Sequence, residues 1–257
     1  MIDLNADIGE SPERLVSGSD AELMRHITSA NIACGGHAGD ANTMEQTLAL
    51  AKENNIAVGA HPSYADRACF GRTALDISIA ELERSIADQI NELVAIARRF
   101  DVRLTHVKPH GALYHACNHN AEIARALGRA ALSIDSRMII VGQSGAPCLE
   151  IYRDMGAGTA AEAFADRVYE ADGSLRDRRL AGALLESPED AAAQALAIAV
   201  HQSVITVAGS EFPISAETLC IHSDTPNAAA IAGAIRERLA LSAIAVRAFA
   251  DNPTPGQ

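Results

Sequence analysis

What this chain lacks excludes several function classes. It has no basic surface to offer, since 21 Lys and Arg stand against 33 Asp and Glu, a formal net charge of −12. Nucleic acid and anionic membrane are bound through clustered cations. The nearest run here, Arg176-Asp177-Arg178-Arg179, is short and broken by an acid. No stretch reaches the ~20 apolar residues that cross a bilayer. The first residues, Met1-Ile2-Asp3-Leu4-Asn5, carry neither the charged start nor the apolar segment of a signal peptide. Cysteines are few and unpaired in pattern: Cys34, Cys69, Cys117, Cys148 and Cys220 are scattered, odd in number and without CxxC spacing. Neither a disulfide framework nor a structural zinc site is expected from them. A G-x-x-x-x-G-K-[ST] phosphate loop is also missing, and Gly142-Gln-Ser-Gly145 is too short and generic to replace one. The expectation is a reduced, cytoplasmic protein that acts on a small molecule, with neither nucleic acid nor membrane as a partner.

What is present is a globular composition, 48% hydrophobic and 21% charged over 257 residues, enough for one large domain. Short apolar runs alternate with helical patterns along the whole length. Strands are expected at Ile2–Ile8, Ala30–Ala33, Ala57–Ala60, Arg103–Val107, Met138–Val141, Ala160–Ala165, Val204–Val207, Leu219–Ile221 and Ala243–Val246. Helices are expected between most of them. Asp40–Glu53 carries Met44, Leu48 and Ala51 on one stripe, and Ser78–Phe100 opens with the capping box Ser78-x-x-Glu81. Ser187-Pro188-Glu189-Asp190 starts a third helix, and Asp224–Leu239 forms the last. Such alternation implies parallel strands with right-handed crossovers, hence an α/β barrel or a doubly wound sheet. One domain over residues 1–251 is expected, with a disordered tail at 252–257.

The polar residues that break this apolar pattern recur at one kind of place, the end of a strand just before a helix. Thr105-His106-Val107-Lys108-Pro109-His110-Gly111 is the richest of them. Side chains two apart share a strand face, so His106, Lys108 and His110 project together. Three such groups are costly in a core unless a ligand or an acid meets them. His106, deepest in the strand, is expected to support the other two. Comparable ends are Asn5-Ala-Asp7-Ile-Gly-Glu10, Asn31-Ile-Ala-Cys-Gly-Gly-His37-Ala-Gly-Asp40, Gly59-Ala-His61-Pro-Ser-Tyr64, Glu162-Ala-Phe-Ala-Asp166-Arg167 and Cys220-Ile-His222-Ser-Asp224. Ligands of parallel α/β folds sit where such ends converge. Single residues have blander roles open to them: Asp40 and Asp224 as helix caps, Asp166-Arg167 as a structural ion pair, and His26, His115, His119 and His201 as solvent-facing. Asp7, His37 and His61 suit a divalent metal, Mg²⁺ or Zn²⁺, and suit a metal-free acid–base site nearly as well.

Together these segments resemble the LamB/YcsF family. The resemblance is carried by Asp3-Leu-Asn-Ala-Asp-Ile-Gly-Glu10, Asn31-Ile-Ala-Cys-Gly-Gly-His-Ala-Gly-Asp40, Gly59-Ala-His-Pro-Ser-Tyr64, Phe70-Gly-Arg72, Val107-Lys-Pro-His-Gly-Ala-Leu-Tyr114, Phe164-Ala-Asp-Arg167 and Asp224-Thr-Pro226, in order over nearly the whole chain. Ala6, Gly36, Thr73 and Ser223 depart from the family's usual Cys, aromatic, Arg and Gly. Gly36 and Ser223 neighbour His37 and His222, where a change in pocket shape is expected.

The resemblance implies a single (β/α) barrel-like fold akin to glycoside hydrolases and metal-dependent deacetylases. It implies ATP-dependent opening of 5-oxo-L-proline to L-glutamate, by the A component of a complex with two partner subunits, B and C. Matched positions put Asn5, Asp7, Glu10, His37, His61, Lys108, His110, Asp166, Arg167 and His222 at the site. On chemical grounds Asp7 or Glu10 serves as base or metal ligand. Lys108 and His110 stabilise negative charge, and Arg72 or Arg167 clamps the substrate carboxylate. Two other readings stand beside this one: a stand-alone metal-dependent amidohydrolase or sugar deacetylase using Asp7, His37 and His61, and a non-catalytic substrate-binding component.

Overall fold

The computed structural model describes residues 1–251, so the expected disordered tail lies outside the described residues. Seven parallel strands close a barrel. They are β1 (Asp3–Ile8), β2 (Ser29–Ala33), β3 (Ala57–His61), β4 (Leu104–Val107), β5 (Ile139–Gln143), β6 (Gly158–Phe164) and β9 (Thr218–Ile221), with β9 hydrogen-bonded to both β6 and β1. Helices α1 (Pro12–Ser17) to α9 (Ala228–Leu241) lie in the connections. The longest, α4 (Ile79–Arg99), is capped by Ser78 and Glu81 in the reciprocal arrangement expected from the sequence, and Asp40 caps α3 (Ala41–Glu53) with Thr43 in the same way.

Strand alternation sorts the residues of β1. Leu4, Ala6 and Ile8 join the apolar core, whereas Asp3, Asn5 and Asp7 are engaged by polar side chains inside the barrel. The interior is a ladder of polar contacts: Thr28, Ser29 and Thr218 hydroxyls donate to Asp3, Asn31 Nδ2 donates to both Asn5 Oδ1 and Asp7 Oδ1, and Glu162 and His106 complete the middle layer. Gly59 leaves room for the His106 ring, which a Cβ there would meet at 2.2 Å. Phe249, in a short C-terminal 3₁₀ turn, packs against Val141 and Ala160 and edge-on to His106 at 5.0 Å.

Two expected strands fall outside the barrel. Val204–Val207 yields β7 (Ser203–Ile205), which pairs antiparallel with β8 (Glu211–Pro213) in a separate hairpin. Only Val204 of this run enters the core, at 1% exposure, whereas Ile205 is 61% exposed. Ala243–Val246 makes only a single bridge, Val246 to Ile2. A closed barrel leaves no edge for a further strand to join.

Candidate active site

The polar strand ends converge at the C-terminal mouth of the barrel, around a cavity of about 720 Å³. The β4 end places its residues by continuing past the regular strand. Lys108 N–H donates to the Ala60 carbonyl and His110 N–H to the Pro62 carbonyl, so residues 108–110 still run alongside β3. Gly111, at φ 53°, then turns the chain into α5 (Gly111–His119). This is why His106, Lys108 and His110 all point inward.

Lys108 is buried beneath the cavity floor with two acids on its ammonium: Nζ lies 2.9 Å from Asp7 Oδ1 and 2.9 Å from Glu162 Oε1. Burial disfavours the ammonium, but the charges of Asp7 and Glu162 outweigh it and hold the Lys108 pKa well above the ordinary value. Asp7 is the mirror case: burial pushes its carboxyl up, yet His61 and Lys108 pull it well below the usual range. Lys108 is therefore a fixed cation rather than a base. Cys220 Sγ lies 3.0 Å from the same ammonium, and burial raises its thiol pKa well above normal, so it stays a neutral neighbour. His106 is pushed down to about 3, by burial and then by the Lys108 charge; it is neutral and bonds Asn31 Oδ1 at 2.9 Å, the supporting place expected for it.

Beside this pair sits a second cluster. Glu10 Oε1 is 3.0 Å from His37 Nε2 and 3.2 Å from His110 Nδ1, and His61 Nε2 is 3.0 Å from His110 Nδ1. The His37 and His110 rings stack at 3.7 Å. Burial lowers the His37 pKa to about 4, while the adjoining His110 and His37 rings hold the Glu10 carboxyl well below its usual range against its own burial. Glu10, His37, His61 and His110 could hold a metal ion. This differs from the set Asp7, His37 and His61: Glu10 and His110 join the two imidazoles, while Asp7 gives Oδ1 to Lys108 and Asn31 and keeps Oδ2 3.4 Å from His61 Nε2.

The remaining expected residues divide between wall and support. Arg72, Arg167 and His222 face the cavity. Asn5 lies below it, fully enclosed, accepting from Lys108 and Asn31 and donating to Glu162 and Thr218. Asp166 is fully buried behind His222, accepting from its backbone N–H at 2.9 Å, from its Nδ1 at 3.0 Å and from Thr225 Oγ1 at 2.6 Å. It forms no ion pair with Arg167, whose guanidinium instead donates to the Arg176 carbonyl. Asp224 is not a helix cap, a place taken by Asn227; it bridges Arg72 at 3.2 Å and Arg178 at 2.9 Å across the cavity mouth. Gly36 faces Gln89 and Ser63, not the cavity, so its departure from the family pattern repacks the scaffold behind His37. Glu162, which in the sequence only opens a polar strand end and has no role assigned there, is the second acid on Lys108. Its one signal is an acid on the inward face of an otherwise apolar strand.

Known proteins resemble this chain along nearly its whole length. The model of the LamB/YcsF family matches residues 2–254. A protein of Chloroflexus aggregans, named as the A subunit of 5-oxoprolinase, is 46% identical, covering 96% of this chain and 98% of its own length. A protein of the same name from Pyrococcus furiosus is 41% identical, covering 97% and 98%. Among solved structures, a lactam utilization protein from Thermus thermophilus superposes with a TM-score of 0.89 at 38% identity, covering 96% of this chain and 99% of that one. This chain belongs to the LamB/YcsF family.

Proposed function

We propose that this chain is the A subunit of an ATP-dependent 5-oxoprolinase, a hydrolase that opens the cyclic amide of 5-oxo-L-proline to L-glutamate while ATP goes to ADP and phosphate. The observation that carries the reading is the Lys108 ammonium, locked as a cation between Asp7 and Glu162 at the floor of a cavity sized for a small substrate. The names of the 41% and 46% identical relatives support it.

A five-membered lactam resists hydrolysis and re-forms readily from glutamate. Transfer of the γ-phosphoryl group to the amide oxygen, with ADP leaving, gives an imidate phosphate that water attacks far more easily. Cleavage of the C–N bond and transfer of the phosphoryl group to a second water complete the balance. Lys108 is placed to stabilise the negative charge that develops on the amide or phosphoryl oxygen, a contribution of roughly 3 kcal/mol for a well-placed donor. His110 is less suited to that role, because its Nε2 donates to the Phe70 carbonyl at 3.0 Å, leaving Nδ1 as an acceptor. Asp7, held well below the ordinary carboxylate range, is a weak proton acceptor and serves by orienting Lys108. Arg167 and His222 on the wall bind the substrate carboxylate, with Asp166 holding His222 and Asn5 holding Lys108.

The phosphates of ATP are given to the arginines at the mouth, Arg72 and Arg178, which Asp224 ties together. Subunits B and C complete the complex, and the location is the cytoplasm, in keeping with five cysteines none of which is disulfide-bonded. The Glu10–His37–His61–His110 cluster favours a second reading, a stand-alone metal-dependent amidohydrolase or deacetylase. The test is glutamate release from 5-oxoproline by the chain with co-expressed partner subunits, with and without ATP. Release that requires ATP and the partners supports the first reading. ATP-independent release by the chain alone, lost on chelation, supports the second.

A further inference from the structure

The Glu10 cluster carries more than its residue types. Glu10, His37, His61 and His110 offer ligand atoms that all lie within 4.8 Å of one another. The separations from Glu10 Oε1 are 3.0 Å to His37 Nε2, 3.2 Å to His110 Nδ1 and 3.8 Å to His61 Nε2, and His61 Nε2 to His110 Nδ1 is 3.0 Å. Around a zinc ion with nitrogen ligands at about 2.0–2.1 Å, the edges of the tetrahedron measure roughly 3.3–3.4 Å. The contacts bracket that length.

The outer nitrogens settle which inner atoms carry lone pairs. A carbonyl oxygen only accepts, and His61 Nδ1 lies 2.7 Å from the Lys108 carbonyl while His110 Nε2 lies 3.0 Å from the Phe70 carbonyl. Both outer nitrogens therefore hold a proton, so in the neutral rings the inner nitrogens are acceptors. The Asp7 charge, with Oδ2 3.4 Å from His61 Nε2, favours a cation at that atom, whether a second ring proton or a metal. Two acceptors then face each other at 3.0 Å, with a carboxylate oxygen 3.2 Å from one of them. Such groups do not hold one another together; a cation among them does. A shared proton joins two of these atoms, whereas four converge. Backbone carbonyls on the outer nitrogens are also how metal-bound imidazoles are commonly oriented. His37 has no such partner on Nδ1; its ring is fixed between the His110 face and the Phe70 edge.

We propose that Glu10, His37, His61 and His110 form a mononuclear site for a late first-row divalent cation, zinc foremost, at the floor of the cavity. Three imidazoles and one carboxylate suit zinc, cobalt or iron, and suit magnesium poorly, because magnesium prefers oxygen. Asp7 is outside the set. Glu10, His61 and His110 all reach the cavity surface, so the cation's open side faces the substrate space. Lewis acidity toward a carbonyl or a water there would need a fifth ligand from that side, since four protein ligands fill the tetrahedron. The assignment rests on reading this cavity as the reaction site, but its test is of binding alone.

The full-length chain, stripped with chelator and dialysed, is titrated with Zn²⁺ and Co²⁺ by calorimetry and visible absorption, with Mg²⁺ for comparison. The expected result is one zinc or cobalt per chain, intense tetrahedral cobalt bands, a higher thermal midpoint on loading and no comparable response to Mg²⁺. His37→Gln and His110→Gln, which keep much of the side-chain volume, weaken binding by about tenfold or more, and Asp7→Asn leaves it in place. Failure of the folded wild-type chain to take up either Zn²⁺ or Co²⁺ stoichiometrically overturns the proposal. So does binding that Asp7→Asn abolishes and His110→Gln leaves unchanged. Neither result touches the glutamate assay, which stands or falls separately.

Discussion

The ammonium of Lys108 stands 2.9 Å from Glu162 Oε1, a carboxylate with no exposed surface at all. Burying two charges is expensive and is offset only by their mutual attraction and by further hydrogen bonds, here from Asn5 Nδ2. Glu162 thus acts through Lys108, as the group that keeps it charged and aimed. Glu162→Gln keeps the shape and removes the charge; it is expected to lower kcat about tenfold or more, equivalent to ~1.4 kcal/mol of barrier, with little change in KM. Glu162→Leu leaves part of a buried ion pair uncompensated and costs about 3 kcal/mol of stability, read by denaturant unfolding. Equal kcat for the Gln variant and the wild type contradicts the positioning role.

Asp3, on the same inward face of β1, gives a pH dependence of stability. Its pKa is raised from 3.8 to about 6, chiefly by burial, against the lowering effect of the hydroxyls of Ser29, Thr218 and Thr28. The folded chain therefore holds the proton more tightly than the unfolded one. The stabilising contribution is complete below about pH 4 and is lost as the pH rises through about 6, a change of roughly 3 kcal/mol. Asp3→Asn removes this slope. Unfolding curves of both proteins from pH 4 to 7 are expected to show the variant gaining on the wild type as pH rises; a constant difference between them contradicts the assignment.

Gly71 holds the His cluster together by absence of a side chain. Its φ is 63°, and a Cβ would lie 2.9 Å from His37 Cβ and 3.1 Å from His110 Cδ2. Gly71→Ala combines backbone strain with that collision, at a cost of about 1–3 kcal/mol. It is expected to displace the stacked rings, seen as a fall in activity of the complex together with altered histidine ring signals in NMR spectra. Unchanged ring signals would falsify the claim of contact.

Phe249 fills the barrel interior below His106, packed on Val141 and Ala160. Phe249→Ala is expected to cost about 3–5 kcal/mol, the range for emptying a large aromatic from a core. A variant with wild-type stability indicates that the C-terminal turn does not close the barrel.

Period-two alternation made much of this site legible in advance. Placing His106, Lys108 and His110 on one face needs only an extended backbone, and the hydrogen bonds that continue β4 past Val107 are what make it hold. The capping residues of α3 and α4 were legible for the same local reason. What depends on closure was not. Apolar content cannot say that Val204–Val207 pairs with a neighbour outside the barrel, nor that β9 reaches both β6 and β1 and leaves Ala243–Val246 without a place in the barrel. Nor does spacing tell which carboxylate meets which cation. Asp7 and Glu10 are three residues apart, yet Asp7 pairs with Lys108 and touches only His61 of the imidazole cluster, whereas Glu10 lies among His37, His61 and His110. Glu162 stood out only as part of a polar strand end and was given no role, since spacing alone does not show that its carboxylate reaches Lys108.

The central claim is that the Lys108 cation carries the charge developed during lactam opening. The most direct measurement is glutamate release from 5-oxoproline and ATP by the complete complex carrying Lys108→Ala, with folding and assembly checked by circular dichroism and size-exclusion chromatography. The expected result is an intact complex with no detectable turnover. Release near the wild-type rate from that complex contradicts the claim.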